Sequence, residues 1–341
     1  MPEKQLSRSA ILMALLVVVF LGSWEIYLRH SGVAISYDDG EELWANKRAM
    51  VYEPSDKATV FIGSSRIKYD LDIDTWEKTT GRHAIQLAVQ GSSPVPTLVD
   101  LGNDPRFKGK LVVDVTEPLF FAPPIPGAER DQVKFVAWYH KQTPAQKASF
   151  QLDHLLESQF VFLDRDFLSL NAGLEKLSVP DRPGVYVFPD FPRDFTPCLF
   201  SRQSQMTDRF VADTSLQHQV QNIWVFLMRM AQSAPHDGPN PVPDIMQSVK
   251  TAVDQIRARG GDVVFIRTPS SGPFREGEKH AFPREKLWDP LLVMTQSKGI
   301  YFTDYPATAH LICPEWSHLS PSDAILYTKA LITELPKSFV E

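Results

Sequence analysis

Ala58-Thr59-Val60-Phe61-Ile62-Gly63-Ser64-Ser65-Arg66 is an apolar, β-branched run that breaks abruptly into small residues. Its first five residues suit a strand buried on both faces, and Gly-Ser-Ser suits the turn at that strand's carboxyl end. The motif then recurs. Asp72 to Thr80 has helical spacing closed by Gly81, Ala84 to Val89 reads as a second strand ending at Gly91, and Pro94 to Leu101 reads as a helix. Leu111 to Val115 is a third strand, Met246 to Arg259 a helix stopped by Gly260-Gly261, Asp262 to Arg267 a fourth strand and Gly299 to Thr303 a fifth. Strands alternating with helices predict a three-layer α/β/α architecture around a doubly wound, mainly parallel five-stranded sheet. Such sheets collect ligands at the carboxyl ends of their strands, where the small and polar residues after the first three strands fall.

The third and fourth strands are separated by a long mixed insertion, at about residues 120–242. Thr143-Pro144-Ala145-Gln146 is a capping box with proline at the first helical position, opening a helix to about Phe160. Residues 178–200, where prolines alternate with Tyr186, Phe188, Phe191 and Phe195, read as an irregular loop. Val211 to Met230 reads as a helix with Val220, Ile223, Trp224, Leu227 and Met230 on one face, and residues 235–243 as a proline-rich linker. Both a packing lid and a substrate platform fit this insertion.

The other end of the chain speaks to location. Lys4 and Arg8 precede the apolar run Ala10 to Gly22, and Trp24 and Tyr27 follow before Arg29 and His30. A basic flank, an apolar body and interfacial aromatics predict an N-terminal membrane helix over residues 1–30. At about 1.5 Å per residue, Ala10 to Leu28 nearly matches the ~30 Å hydrocarbon thickness and places Glu25 near the outer interface. No small-x-small cleavage site stands out, so an uncleaved signal anchor is preferred to a cleaved signal peptide or a buried helix. The basic flank then stays in the cytoplasm, which predicts a single-pass protein of the cytoplasmic membrane with a periplasmic, extracytoplasmic domain. Residues 31–57 read as a polar stalk and 58–340 as the α/β domain.

Composition narrows the function. Thirty-five basic against forty-one acidic side chains give a net charge of -6. With no basic stripe to neutralise phosphates, no nucleic-acid partner is expected. Two cysteines, Cys198 and Cys313, build no metal cage, and an exported domain leaves a bridge between them open. Neither a cofactor nor a metal is expected.

Three local features share the carboxyl edge. Gly63-Ser64-Ser65 puts a hydroxyl and a free backbone N–H at a turn. Gly91, in Gln90-Gly91-Ser92, lets a second N–H approach a developing oxyanion. Glu315-Trp316-Ser317-His318 precedes a C-terminal helix signalled by Ser320, Pro321 and Asp323, with Ile325, Leu326, Leu331 and Ile332 as its apolar face. A carboxylate three residues before a histidine can accept from Nδ1–H, leaving Nε2 free to take a serine proton. Arg66 and Arg267 also fall near this edge, where each can hold an anionic substrate group or pair with local carboxylates. Asp304 is a rival orienting acid.

In these residues the chain resembles the SGNH, or GDSL-like, hydrolase superfamily, over residues 58–120 and about 262–335. The family's Gly-Asp-Ser block is similar to Gly63-Ser64-Ser65, its glycine block to Leu87 through Gly91, and its Asp-x-x-His block to Glu315 through His318. Ser64 and Glu315 stand where the family has aspartates, and Asp114-Val115-Thr116-Glu117 lacks the asparagine of its third block. The resemblance implies a flavodoxin-like fold and a Ser65, His318, Glu315 triad. It also implies an oxyanion site from Ser65 and Gly91 N–H, with Thr116 in place of the missing asparagine. Anchored members of this layout are similar to proteins of polysaccharide O-acetylation and teichoic-acid D-alanyl transfer. That implies O-acyl transfer or ester hydrolysis on a cell-surface glycan, with a membrane-bound O-acyltransferase as partner. A catalytically silent, glycan-binding or scaffolding role is the alternative.

Overall fold

The computed structural model describes residues 2–121, 132–175, 177, 189–233 and 240–340. Residues 178–188 of the proline-rich loop, with Tyr186 and Phe188, and residues 235–239 of the linker lie outside the described residues. The chain forms two compact units, Met1–Asp38 with Pro144–Val187, and Asp39–Thr143 with Phe188–Glu341.

The second unit holds the sheet: β1 Ala58–Ile62, β2 His83–Gln86, β3 Lys110–Asp114, β4 Asp262–Arg267 and β5 Lys298–Tyr301. The strands pair in the order β2-β1-β3-β4-β5 and every pairing is parallel. The chain runs outward from β1 to β2, then continues on the other side of β1 through β3, so the order reverses between β1 and β3. Loops leave that switch point in opposite directions and open a crevice at the carboxyl ends.

The principal helices, in chain order, are α1 Pro2–His30, α2 Glu41–Met50, α3 Ser65–Asp70, α4 Ile73–Thr80, α5 Val95–Asn103, α6 Gln132–Lys141, α7 Pro144–Glu157, α8 Leu170–Glu175, α9 Thr214–Ser233, α10 Val242–Ala258, α11 Gly272–Ala281, α12 Trp288–Thr295 and α13 Pro321–Glu334. Strand residues alternate between two cores, as the two-residue period requires. Val60, Ile62, Val113 and Phe265 pack with Trp44, Leu98, Val253 and Leu291 from α2, α5, α10 and α12. Phe61, Val112 and Ile266 pack with Ile67, Trp76 and Tyr327 from α3, α4 and α13. This is a three-layer, flavodoxin-like α/β/α fold.

Local chemistry sets the helix ends. Asp72 accepts from Thr75 N at 2.8 Å to cap α4, and Gly81 closes it at φ +67°. Ser320 Oγ accepts from Asp323 N at 3.2 Å to cap α13. The buried stripe of α13 is Ala324, Tyr327, Thr328 and Leu331, however, and the expected core residue Leu326 is exposed. Two side chains with hydroxyls occupy core positions that a count of apolar residues assigns elsewhere. The helix expected over 211–230 is interrupted at Asp213, which ends one short helix at Ala212 and accepts from Ser215 N at 2.9 Å to start α9.

The expected stalk is corrected more substantially. Residues 41–50 form α2, whose Trp44 is buried in the core and donates from Nε1 to Leu87 O at 2.8 Å. Arg48 on the same helix is paired with Asp100 at 2.8 Å and Asp104 at 2.9 Å. Of the acidic residues that make this stretch look solvated, Glu41 and Glu42 sit in the first helical turn, where they complement the positive end of the macrodipole, and Asp39 is buried in ion pairs with Lys68 and Arg202.

Gly63 joins β1 to α3 with no room for a side chain. A Cβ there would lie 2.6 Å from Ile67 Cγ2 and 2.7 Å from Asp114 Cβ. Gly63→Ala should therefore destabilise the chain by about 1–3 kcal/mol, the usual cost of overpacking. The check is a lower urea midpoint at unchanged slope; an unshifted midpoint would show that the corner yields freely.

Candidate functional site

Ser64 is the N-cap of α3, accepting from Arg66 N at 3.4 Å. Its Oγ lies 2.6 Å from Thr116 Oγ1, which donates to Asp114 Oδ2 at 3.1 Å. A hydroxyl has one proton, so Ser64 is the donor to Thr116. Thr116, expected as an oxyanion donor, already spends its proton on Asp114. Ser65 is the first residue of α3 and half-buried, at the turn whose backbone N–H groups have no intrahelical acceptor. Val89 N donates to Gly63 O at 3.2 Å, which carries the β2 segment alongside the serine turn. Gly91, two residues on, is exposed at φ +65°. Gln132, not foreseen from sequence, also donates to Gly63 O, at 3.0 Å.

The histidine turn is held from several sides. Glu315 Oε1 accepts from His318 Nδ1 at 2.9 Å, from His318 N at 2.6 Å and from Ser317 N at 3.3 Å. Oε2 accepts from Trp224 Nε1 at 2.5 Å. With Nδ1–H donating to a carboxylate, the lone pair of the neutral ring lies on Nε2. Glu315 is 0% and His318 1% exposed, and Nε2 has no hydrogen-bond partner among the described residues. Trp316 between them adopts φ +83°, a left-handed conformation unusual for a bulky side chain. The turn is strapped down by Ser271 N donating to Trp316 O at 2.8 Å and by Leu319 N donating to Asp70 Oδ1 at 2.9 Å. Surroundings that fix a strained turn this firmly are a known feature of functional sites.

The serine and histidine segments meet. Tyr69, one helical turn after Ser65 on α3, packs against His318 with ring centroids 4.4 Å apart and the rings tilted by 40°. Arg66 Nε donates to Ser317 Oγ at 3.3 Å, so each flanking residue touches the other segment. No hydrogen bond joins Ser65 to Nε2. Phe195 and Trp224 lie 5.5 and 6.0 Å from the imidazole, ring centre to ring centre. The insertion therefore supplies both the aromatic wall around the histidine and a hydrogen bond to its carboxylate. Sequence reasoning placed Trp224 on an apolar face; the signal it left unused was an indole N–H, which needs an acceptor once buried.

No family model matches the chain, and no curated protein matches it. The likeness to SGNH hydrolases rests on the quoted residues.

The remaining candidates sort by their partners. Asp304 is engaged by Arg284 through two bonds of 2.6 and 2.9 Å, which leaves Glu315 as the acid at the imidazole. Arg66 and Arg267 are both buried and both pair with Glu278; Arg267 also pairs with Glu117 at 3.1 Å and donates to Thr268 O and Ser270 Oγ. Each nitrogen of Arg267 is thus donating within the chain. Burial resists ionisation of Glu278, but Arg267 and Arg66 outweigh it and hold the carboxyl well below its ordinary range. Asp70 and Asp114 go the other way, burial raising both. Burial also raises the Cys313 thiol, and Cys313 and Cys198 are buried without a disulfide. Among the described residues no group of three His, Cys, Asp or Glu side chains could hold a metal ion.

Among the described residues one helix, Gln5–His30, is long and apolar enough to cross a membrane.

Proposed function

We propose that this is a membrane-anchored, serine-dependent protein of the SGNH type that transfers or hydrolyses ester-linked acyl groups on a cell-surface glycan. The observation that carries the reading is the buried Nε2, partnerless among the described residues, of an imidazole whose other nitrogen is fixed by Glu315 and whose ring packs on Tyr69 of the helix that Ser65 opens. A buried acceptor left unpaired costs about 1–3 kcal/mol, and a waiting proton acceptor is one reason for a fold to carry that cost. His318 Nε2 takes the proton of Ser65, whose Oγ attacks the acyl carbonyl. Backbone N–H groups of Ser65 and Gly91 hold the oxyanion, and Glu315 faces the imidazolium. The intermediate collapses by breaking the bond to the donor oxygen, which leaves as an alcohol with the proton from His318. Water or a sugar hydroxyl, deprotonated in turn by Nε2, then attacks the acyl-Ser65 ester, and the proton returns to Ser65 Oγ as the acyl product leaves. Crossing of the cytoplasmic membrane by α1 would put this chemistry on the periplasmic side, next to a membrane-bound O-acyltransferase that supplies the acyl group.

A catalytically silent scaffold is the second reading, favoured by the near-complete cover over His318 and by the lack of a bond from Ser65 to Nε2. A fluorophosphonate applied to the full-length protein in detergent separates the two. Labelling of wild type, lost in Ser65→Ala and retained in Ser64→Ala, is the expected result. Folded wild type that takes no label, with Ser65→Ala keeping full biological activity, would leave the scaffold.

A further inference from the structure

The unit of Met1–Asp38 with Pro144–Val187 exposes large apolar side chains among its described residues. On α7, Leu152, Leu155 and Leu156 share one face, while Phe150 on the opposite side is buried. Leu170 and Leu174 share a face of α8, with Leu177 just beyond it, and Ala172 on the other side is buried. These six leucines are between 48% (Leu156) and 78% (Leu170) exposed. Helix faces that expose several large apolar side chains mark a contact with lipid or with another macromolecule.

Hydrogen bonds within the unit select lipid. Glu25, near the carboxyl end of α1, accepts from Val161 N at 3.0 Å and from Phe162 N at 3.1 Å. Arg29, one turn later, donates to Glu25 at 2.7 Å and to Gln159 O at 2.7 Å. Residues 159–162 are thereby fixed at the level of Glu25 on α1, and α7 ends directly before them. Glu25 follows about 22 Å of helix from Ala10, so in an α1 that spans ~30 Å from Ala10 to Leu28 it lies within about one turn of the level where hydrocarbon gives way to headgroups. Whatever is bonded to it lies at that depth too. Trp24 and Tyr27, stacked at 5.5 Å and largely exposed, are the side chains that prefer the same layer.

We propose that residues 144–175 form a foot lying in the bilayer interface at the carboxyl end of α1, with the leucines of α7 and α8 among the acyl chains, as amphipathic interfacial helices do. The occupant of this face is lipid. This rests on the reading of α1 as a membrane span. It also accounts for Glu25, whose carboxylate, costly near hydrocarbon, is neutralised by Arg29 and docks the foot.

The test uses full-length protein in phosphatidylcholine nanodiscs containing nitroxide-labelled lipid, with a small fluorophore on Leu155→Cys or Leu174→Cys. Leu16→Cys, in α1, reports the span, and Leu326→Cys, an exposed leucine of α13, is the control. Quenching of the two foot sites, strongest with nitroxides near the headgroup and at least threefold above that at Leu326→Cys, is expected. Quenching at Leu16→Cys with none at the foot sites would overturn the foot while leaving the span intact, pointing to a protein partner or a second copy on the leucines. No quenching at Leu16→Cys would overturn the span and the foot with it.

Discussion

Glu315→Ala should slow fluorophosphonate labelling of Ser65 by about 10⁴-fold, the scale seen when the acid of a serine triad is lost. Four N–H groups converge on this carboxylate: His318 Nδ1, His318 N, Ser317 N and Trp224 Nε1. Alanine leaves all four without an acceptor and frees the ring to turn. Glu315→Gln should do less. Three of those donors converge on Oε1, so the amide oxygen takes that side and the Nδ1–H tautomer survives. Its NH₂ then faces the indole N–H, donor against donor. What is lost is the negative charge opposite the imidazolium and the bond to Trp224, together worth roughly 10²-fold if a charge-assisted hydrogen bond contributes about 1.5–3 kcal/mol. Removing the opposing donor with Trp224→Phe should recover part of the Glu315→Gln defect. Pseudo-first-order labelling rates check the series, with circular dichroism confirming the fold. Glu315→Ala labelling within tenfold of wild type would mean that His318 is not the base.

The parts legible in the sequence are those whose physics is local. The strands centre on short runs of mostly apolar residues, β1 breaking at Gly63 and β4 ending at Arg267, and Asp72, Gly81 and Ser320 act within three or four residues of themselves. The acid and the histidine of the site are three residues apart, so their bond follows from one turn of chain. The rest depends on distant partners. Trp44 and Arg48 are buried by Leu87, Asp100 and Asp104, more than forty residues on, and alone they sit in a charged stretch that reads as a stalk. Trp224 reaches Glu315 across 91 residues, and Phe195 reaches Tyr69 and His318 across still larger gaps. An insertion's contribution to a site is of this kind: its aromatic spacing is visible, but which ring faces the imidazole is decided by packing. The same holds for Arg66 and Arg267, where sequence offers substrate or carboxylate as partners and folding chooses the carboxylate.

That choice makes Glu278→Gln the most destabilising isosteric change expected in the site. Glu278 takes Arg66 on one oxygen and Arg267 on the other, and accepts from Ser270 Oγ at 2.8 Å. With Glu117 on Arg267, two guanidiniums and two carboxylates balance in a space closed to water. The amide keeps the shape but leaves the positive charges in excess, and breaking a buried pair from one side typically costs about 3–5 kcal/mol. Because the Glu278 carboxyl is held below its unfolded value, its stabilisation is present above the ordinary glutamate range of roughly 4.3 and is lost as pH falls through the folded value. The gap between wild type and Glu278→Gln should thus be constant from pH 6 to 8, begin to narrow below about pH 4 and close only as pH nears about 2. Urea unfolding of the detergent-solubilised chain across that range measures it, and a gap under 1 kcal/mol at pH 7 would count against the network. The network also ties α3 beside Ser65 to the end of β4, to the segment after β3 and, through Arg66 and Ser317, to the turn of His318. Glu278→Gln should therefore slow labelling even where the protein stays folded, because it loosens the tie from α3 through Arg66 to the histidine turn.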